Sequence, residues 1–373
     1  MISPTEMNYM ARALELARRG EGTTTPNPSV GCVLVKDGRI IGEGHTQPGG
    51  VPHGEADALA KLSESAAGAT AYVTLEPCAH QGKSPPCSQA LIDAKVARVV
   101  IATRDPNPLV AGRGVALLQE AGIAVSEGLL EAEARAVNAG FMQRMETGKP
   151  KVVAKLAMSL DGKTAMASGE SQWITGPEAR ADVQKLRARS CAIVTGVGSV
   201  LDDDPALTVR LEDYQGSQPL RVILDSKLRT PATAKILQPP GASLIFTAVA
   251  SQSPDYAAKR STLNDAGAEV MVLADDNGRV DLAAALAALG ERGCNEVLVE
   301  CGSRLAGAFL RAGLIDELVV YMAPSLLGSN ARGLIELPLD AMTDKIELEP
   351  IDTRVVGRDW RFTLKPAVTK SGR

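Results

Sequence analysis

The stretch Ala71-Tyr72-Val73-Thr74-Leu75-Glu76-Pro77-Cys78-Ala79-His80, with His53-Gly54-Glu55 before it and Pro85-Pro86-Cys87 after it, decides how the first half of this chain folds. Ala71 to Leu75 is a short apolar run that reads as a strand, and Pro77 ends it. Glu55 to Leu62 upstream and Ser88 to Ala94 downstream read as helices. His53 therefore stands where a helix begins, Cys78 just beyond a strand, and Cys87 at the opening of the next helix.

Outward from this centre the alternation continues. Met7 to Arg19 reads as a helix, and Ser29 to Lys36 with Arg39 to Gly44 as a hairpin around Asp37-Gly38. Arg98 to Ala102 and Ile123 to Val125 are strands, Val115 to Ala121 is a helix, and Glu131 to about Glu146 is one closing helix. Strands separated by helices predict a mostly parallel sheet covered on both faces. Thr147-Gly148-Lys149-Pro150 is a helix stop, and a strand from Lys151 to Met158 follows at once. The domain boundary is placed there, giving residues 1–147 and 148–373, as the length of 373 residues predicts for about two domains.

The second half repeats the α/β pattern. Its predicted elements are a helix from Glu178 to Arg189, strands at Ala192 to Val197, Leu220 to Leu224, Ser243 to Phe246 and Glu269 to Leu273, a helix from Leu282 to Arg292, and a strand from Glu296 to Glu300. Glu317 to Met322, Ile346 to Ile351 and Trp360 to Leu364 follow without long helices, which predicts an antiparallel edge.

The net charge of −4 and 3% aromatic content argue against a nucleic-acid-binding protein, which needs a basic excess and stacking side chains. No apolar run approaches the roughly 20 residues of a membrane span, and the first helix is no secretory signal. The six cysteines then read as thiols or metal ligands, and the cytoplasm is the expected compartment. All three histidines, His45, His53 and His80, fall in the first half, so proton chemistry in the second half must use other groups.

One histidine and two cysteines suit zinc, and three protein ligands leave a fourth tetrahedral position for water. Glu55, on the same first turn as His53, is within reach to shuttle a proton. His-x-Glu followed by Pro-Cys and a second Cys is the signature of zinc deaminases, which attack an amidine-like ring carbon. Singly, each residue has a plainer reading: a surface histidine, or small buried thiols. A closed structural zinc with His80 as fourth ligand would leave Glu55 without a role. Eight residues, Ala79 to Pro86, separate the cysteines where nucleoside deaminases usually have two.

Pro26-Asn27-Pro28 before Val30-Gly31-Cys32-Val33-Leu34-Val35, Glu76-Pro77-Cys78-Ala79-His80, Pro85-Pro86-Cys87 and Arg104-Asp105-Pro106-Asn107-Pro108 together resemble the deaminase half of the bifunctional deaminase–reductase family of bacterial riboflavin biosynthesis. Departures are Gly54, where that family usually has Ala, and Ala79, where it often has Ser. The resemblance implies zinc (Zn2+) on His53, Cys78 and Cys87, with Glu55 catalytic. Its implied substrate is 2,5-diamino-6-ribosylamino-4(3H)-pyrimidinone 5′-phosphate, held by Asn27, His45, Lys83, Asp105 and Asn107. Read plainly, Asn27 and Asn107 are turn residues beside prolines.

In the second half, Ser159-Leu160-Asp161-Gly162, Ser168-Gly169-Glu170-Ser171-Gln172-Trp173, Gly196-Val197-Gly198-Ser199 with Asp202-Asp203-Asp204-Pro205, and Glu300-Cys301-Gly302-Ser303 stand out. Two are strand–glycine–helix junctions, which favour phosphate but often bind nothing. In order, these segments resemble the reductase half of the same family. The implied fold is a cytidine-deaminase-like three-layer α/β/α domain followed by a dihydrofolate-reductase-like α/β domain that uses NADPH. Ala157, Trp173, Ser199, Asp203, Ser226 and Gly302, Ser303, Arg304, Leu305, Ala306, Gly307 and Ala308 would line the cofactor. Ser171, Arg187, Leu207, Arg210 and Glu300 would line the substrate, with Arg187 and Arg210 suited to its 5′-phosphate. Lys155 and Glu300 are the candidates to polarise the heteroatom at C1′ as hydride arrives there, although Lys155 also reads as a surface lysine at a strand end. The partners expected are a small phosphorylated pyrimidine and further copies of this chain, with neither nucleic acid nor membrane. The competing readings are a zinc nucleobase deaminase with a non-catalytic nucleotide-binding module, or a second half kept only for sensing or dimerisation.

Overall fold

Ser3 starts the first helix: its hydroxyl accepts from the Glu6 N–H while the Glu6 carboxylate accepts from the Ser3 N–H, and Pro4 fills the first turn. In the computed structural model, which describes residues 3–80, 85–108 and 110–367, the chain divides into two compact units, Met1–Lys149 and Pro150–Arg373. Gly148, at φ 74°, ends the last helix of the first unit just before that division.

The first unit runs α1 (Pro4–Arg18), β1 (Gly31–Lys36), β2 (Arg39–His45), α2 (Gly54–Ala60), β3 (Thr70–Leu75), α3 (Cys87–Asp93), β4 (Arg98–Thr103), α4 (Arg113–Glu120), β5 (Ala124–Glu127), α5 (Glu131–Val137) and α6 (Ala139–Thr147). Its sheet has the order β2-β1-β3-β4-β5. Alternating side chains divide between two cores: Cys32, Leu34, Ala71 and Val73 pack on one face with residues of α2, α3, α4 and α6. Val33, Val35 and Tyr72 pack on the other with residues of α1 and α5. This makes three layers.

The sheet keeps the expected hairpin and departs from the expected parallel order only where β1 meets β3. β3, β4 and β5 run parallel, but β1 is antiparallel to both β2 and β3. Asp37 and Gly38 both take positive φ, 51° and 74°, which closes β1 and β2 as a tight hairpin. Nor is the segment from Glu131 one helix. It breaks at Asn138 (φ −108°, ψ 25°) because that side chain is hydrogen-bonded away to Ser29.

The second unit runs β6 (Lys151–Ser159), β7 (Lys163–Ala165), α7 (Pro177–Arg189), β8 (Ala192–Gly196), α8 (Val197–Asp203), β9 (Leu220–Leu224), β10 (Ser243–Thr247), α9 (Pro254–Asp265), β11 (Ala268–Val272), α10 (Leu282–Glu291), β12 (Glu296–Glu300), α11 (Ser303–Arg311), β13 (Glu317–Ala323), β14 (Arg332–Gly333), β15 (Leu348–Val356) and β16 (Asp359–Pro366). Nine strands form one sheet in the order β11-β10-β9-β8-β12-β6-β13-β16-β15. It is parallel from β11 to β13, and β16 and β15 add the expected antiparallel border. Helix α9 and the small β7–β14 ladder have no counterpart in the sequence reading.

Among the fully enclosed polar side chains here is an arginine. Arg221 on β9 donates Nε to Ile236 O at 2.7 Å, Nη1 to Pro240 O at 3.1 Å, and Nη2 to both Pro239 O and Gly241 O at 2.9 Å. Each nitrogen of its fork donates to at least one backbone carbonyl, which ties the 236–241 loop to the sheet.

Candidate active sites

His53 is the residue just before α2, and its extended backbone turns the ring toward Cys78 and Cys87. Its Nδ1 lies 3.6 Å from Cys78 Sγ and 3.4 Å from Cys87 Sγ. All three donor atoms lie within 4.8 Å of one another. A tetrahedral zinc with ordinary bond lengths separates its sulfur and nitrogen ligands by about 3.6 Å, so this donor set fits one ion. The loop geometry is fixed by the backbone: Cys87 N–H donates to Cys78 Sγ, while the Ser88 N–H and hydroxyl both donate to Cys78 O. A hydrogen bond from Cys87 holds the Cys78 thiol far below its usual range, with His53 adding to the effect.

Glu55 is enclosed beside this trio, with only 2% of its surface exposed. Burial pushes its carboxyl up to about 7, and negative charge at Cys78 adds to the rise. Gly54, between ligand and carboxyl, is where the resembling family usually has Ala. A Cβ here would fall 2.5 Å from Val30 O, so glycine suits the close approach of β1's leading segment.

The candidate substrate residues gather on loops of the same unit. Asn27 donates Nδ2 to Gly50 O at 3.0 Å, and His45 ends β2 with its ring against Thr46 O. Asp105 is buried, and its carboxyl is pushed up to about 6, first by that burial; it accepts from the Asn107 N–H at 2.8 Å. Lys83 lies outside the described residues.

Three supporting residues escaped the sequence reading. Asp57 accepts from the His45 N–H, Gln47 Nε2 and Lys61 Nζ, tying β2's end to α2. Asn138 grips Ser29. Glu76, buried, accepts from the N–H groups of Gly112, Gly114 and Val115 at 3.0 to 3.2 Å, and from Asp105 N–H at 3.4 Å. It thus fixes the start of α4 and the Asp105 loop to the strand end that carries Cys78. In the sequence its one signal is its place before Pro77-Cys78.

In the second unit β8, β12 and β6 run parallel at the centre of the sheet, and open parallel sheets bind ligands at the carboxyl ends of such strands. Lys155 on β6 and Glu300 on β12 are register partners, with Nζ and Oε2 4.0 Å apart. Arg187 of α7 grips Glu300 with both arms, at 2.6 and 3.0 Å, and gives its remaining nitrogen to Thr208 O. Burial alone would raise the Glu300 carboxyl, but Arg187 and Lys155 hold it below the usual range. Burial depresses the Lys155 ammonium, and Arg187 adds to that while Glu300 opposes it.

Of the cofactor candidates, Ala157 lies on β6, and Ser199 and Asp203 on α8, with Ser171 donating to Asp203 at 3.0 Å. Trp173 is exposed, with the Arg180 guanidinium 4.6 Å above its ring. Gly302 precedes α11 with no side chain capping that helix, and residues 303–308 form its first turns. Those open N–H groups suit a diphosphate. Ser226 accepts from the Val280 N–H, Leu207 is buried at positive φ, and Arg304 is paired with Glu336 at the surface.

Residues 4–103 match the cytidine and deoxycytidylate deaminase zinc-binding region, and residues 150–362 match the RibD C-terminal domain. The riboflavin biosynthesis protein RibD of Escherichia coli K12 is 51% identical over 363 residues, covering 94% of this chain and 96% of that protein. The chain belongs to the RibD family. Acinetobacter baumannii RibD, form 1, superposes with a TM-score of 0.90 at 44% identity, covering 97% of this chain and 99% of that one. A Thermotoga maritima structure described as a diaminohydroxyphosphoribosylaminopyrimidine deaminase/5-amino-6-(5-phosphoribosylamino)uracil reductase gives 0.85 at 34% identity, with 97% and 99% covered. The protein is a bifunctional enzyme of riboflavin biosynthesis, a zinc-dependent deaminase and an NADPH-dependent reductase. The resemblance drawn from the sequence is borne out, and the readings with a non-catalytic second half are not favoured. No helix among the described residues is long and apolar enough to cross a membrane.

Proposed function

We propose that residues 1–147 remove the C2 amine of 2,5-diamino-6-ribosylamino-4(3H)-pyrimidinone 5′-phosphate. Residues 148–373 then reduce the ribosyl group of the product, giving 5-amino-6-(5-phosphoribitylamino)uracil. The observation that carries this reading is the enclosed Glu55 carboxyl beside a His53–Cys78–Cys87 donor set of zinc dimensions. The description of the Thermotoga maritima relative supports the substrate pair.

In the deaminase unit His53, Cys78 and Cys87 hold the metal. Zinc, when bound, supplies the Lewis acidity that brings the pKa of water toward neutrality. Glu55 takes one proton from water to the ring nitrogen, then carries a second, from the hydroxyl added at C2, to the amine that departs as ammonia, a task for which a carboxyl near neutrality is matched. Asn27, His45, Asp105 and Asn107 orient the pyrimidine, and Lys83 takes its phosphate.

In the reductase unit Ala157, Trp173, Ser199, Asp203, Ser226 and residues 302–308 hold NADPH, which supplies the hydride. Lys155 donates the proton to the heteroatom at C1′, because burial weakens its grip on that proton. Glu300 holds Lys155 in place, and its own ionisation is locked by Arg187. With the Arg187 fork committed to Glu300, the exposed Arg210 takes the 5′-phosphate, and Ser171 and Leu207 complete the substrate residues.

This reading places the enzyme in the cytoplasm, working as a homo-oligomer on small molecules and not on nucleic acid. A stepwise assay tests it. A chelator that strips zinc should abolish ammonia release from the diamino substrate while NADPH oxidation on supplied deaminated substrate continues. Loss of both activities together, or of neither, would contradict the division of labour.

A further inference from the structure

Asn is among the best helix-capping residues, yet Asn138, at the start of α6, makes no side-chain cap to that helix. Its amide is committed elsewhere. Nδ2 donates to Ser29 O at 2.9 Å and Oδ1 accepts from Ser29 N–H at 2.8 Å, across 109 residues of sequence. The pair is closed on both sides, like one rung of an antiparallel ladder, and only 6% of Asn138 is exposed. Further along the same helix, Arg144 Nη2 donates to Pro26 O at 3.1 Å.

The gripped segment leads in two directions. Two residues before Ser29 is Asn27, whose amide reaches Gly50 O. One residue after it is Val30, which exchanges hydrogen bonds with Thr46: its N–H donates to Thr46 Oγ1 and its carbonyl accepts from the Thr46 N–H, both at 2.9 Å. That same carbonyl abuts Gly54, between His53 and Glu55. The stretch matching the zinc-binding region ends at residue 103, so Asn138 and Arg144 lie beyond it.

We infer that Asn138 is a positioning residue for deamination: by fixing Ser29 it sets where Asn27 meets the substrate and braces the helix start that carries His53 and Glu55. The inference rests on the reading of Asn27 as a substrate residue. A double-mutant cycle in the full-length, zinc-loaded enzyme tests it, with initial rates on the diamino substrate. Asn27→Ala should raise KM about tenfold, the scale of one hydrogen bond lost to a polar ligand. Asn138→Ala should raise KM about as much, with kcat falling less and zinc still near one per chain. In the double variant KM should stay within about twofold of the Asn27→Ala value, because the two residues act through one contact. Asn138→Asp keeps the acceptor for Ser29 N–H but sets an oxygen against Ser29 O, so it should match Asn138→Ala, and it carries the same comparison should the alanine variant fail to fold.

A raised KM in Asn27→Ala with an unchanged KM in both Asn138 variants overturns the inference and leaves the reading of Asn27 standing. So does a double variant whose KM is the product of the two single effects. An unchanged KM in Asn27→Ala removes Asn27 from the substrate site, and the inference falls with it.

Discussion

Glu55, Gly54 and Glu300 show how differently single positions act within a few ångströms of chemistry. Glu55→Gln keeps the size of the side chain but cannot accept a proton, so ammonia release should fall by about a hundred- to ten-thousand-fold. Zinc content, measured by elemental analysis, should stay near one per chain, and reduction of supplied deaminated substrate should be unchanged. A variant that lost its zinc instead would make Glu55 a ligand. Gly54→Ala sets a methyl group 2.5 Å from a backbone carbonyl. The expected cost is about 1–3 kcal/mol, read as a lowered unfolding midpoint in urea, with a midpoint equal to that of the parent counting against the close approach. At this scale the grouping of His53, Cys78 and Cys87 was legible, because zinc chemistry demands particular side chains at short spacing. The grip of Arg187 on Glu300 was not, since those residues are 113 positions apart and either one alone reads as a substrate contact.

Elements meet at polar fastenings that periodicity does not reveal. Helix α4 begins where the buried Glu76 carboxylate collects its N–H groups, and Gly114 is bare because a Cβ would lie 2.0 Å from Pro77 O. Glu76→Gln exchanges one acceptor oxygen for a donor facing N–H groups. It should destabilise the protein by about 1–3 kcal/mol, and Glu76→Asp should not restore it, because the shorter side chain cannot reach the helix start. Urea unfolding of the two variants settles this, and an unperturbed Glu76→Gln would show that the helix start holds without its anion. The course of most strands and helices followed from apolar spacing, from Gly-containing turns and from the proline after α6. The break at Asn138 did not follow, because apolar residues keep helical spacing straight through it and the cause, Ser29, is remote. The antiparallel pairing of β1 with β3 was hidden for a related reason: a strand's sequence records which face is buried, not which way its neighbours run.

Taken whole, the chain joins two units, each with its own cores. Fragments ending and starting between Lys149 and Pro150 should each unfold in one sharp thermal transition, and a fragment that melts broadly would show that it depends on the other. In the second unit, Lys151 donates to Glu317 at 2.8 Å and Arg189 to Glu296 at 2.7 Å, joining β6, β12, β13 and α7. Burial would raise the Glu317 carboxyl, but Lys151 and Arg189 bring it below its ordinary value. Its contribution is therefore full above the unfolded value of about 4.3 and is lost as pH falls through the lower folded value. The melting temperature of the reductase unit should drop across that acid range, and Glu317→Gln should flatten the drop; an equally steep profile in the variant would assign the acid sensitivity elsewhere. Arg221 behaves otherwise. Ringed by carbonyl oxygens, it is a cation coordinated much as a structural metal ion would be, except that it is covalently tethered and cannot be chelated away. None of those oxygens titrates in that acid range or carries a charge for added salt to screen, so the β9 side of the sheet keeps a fastening that acid and ionic strength leave alone.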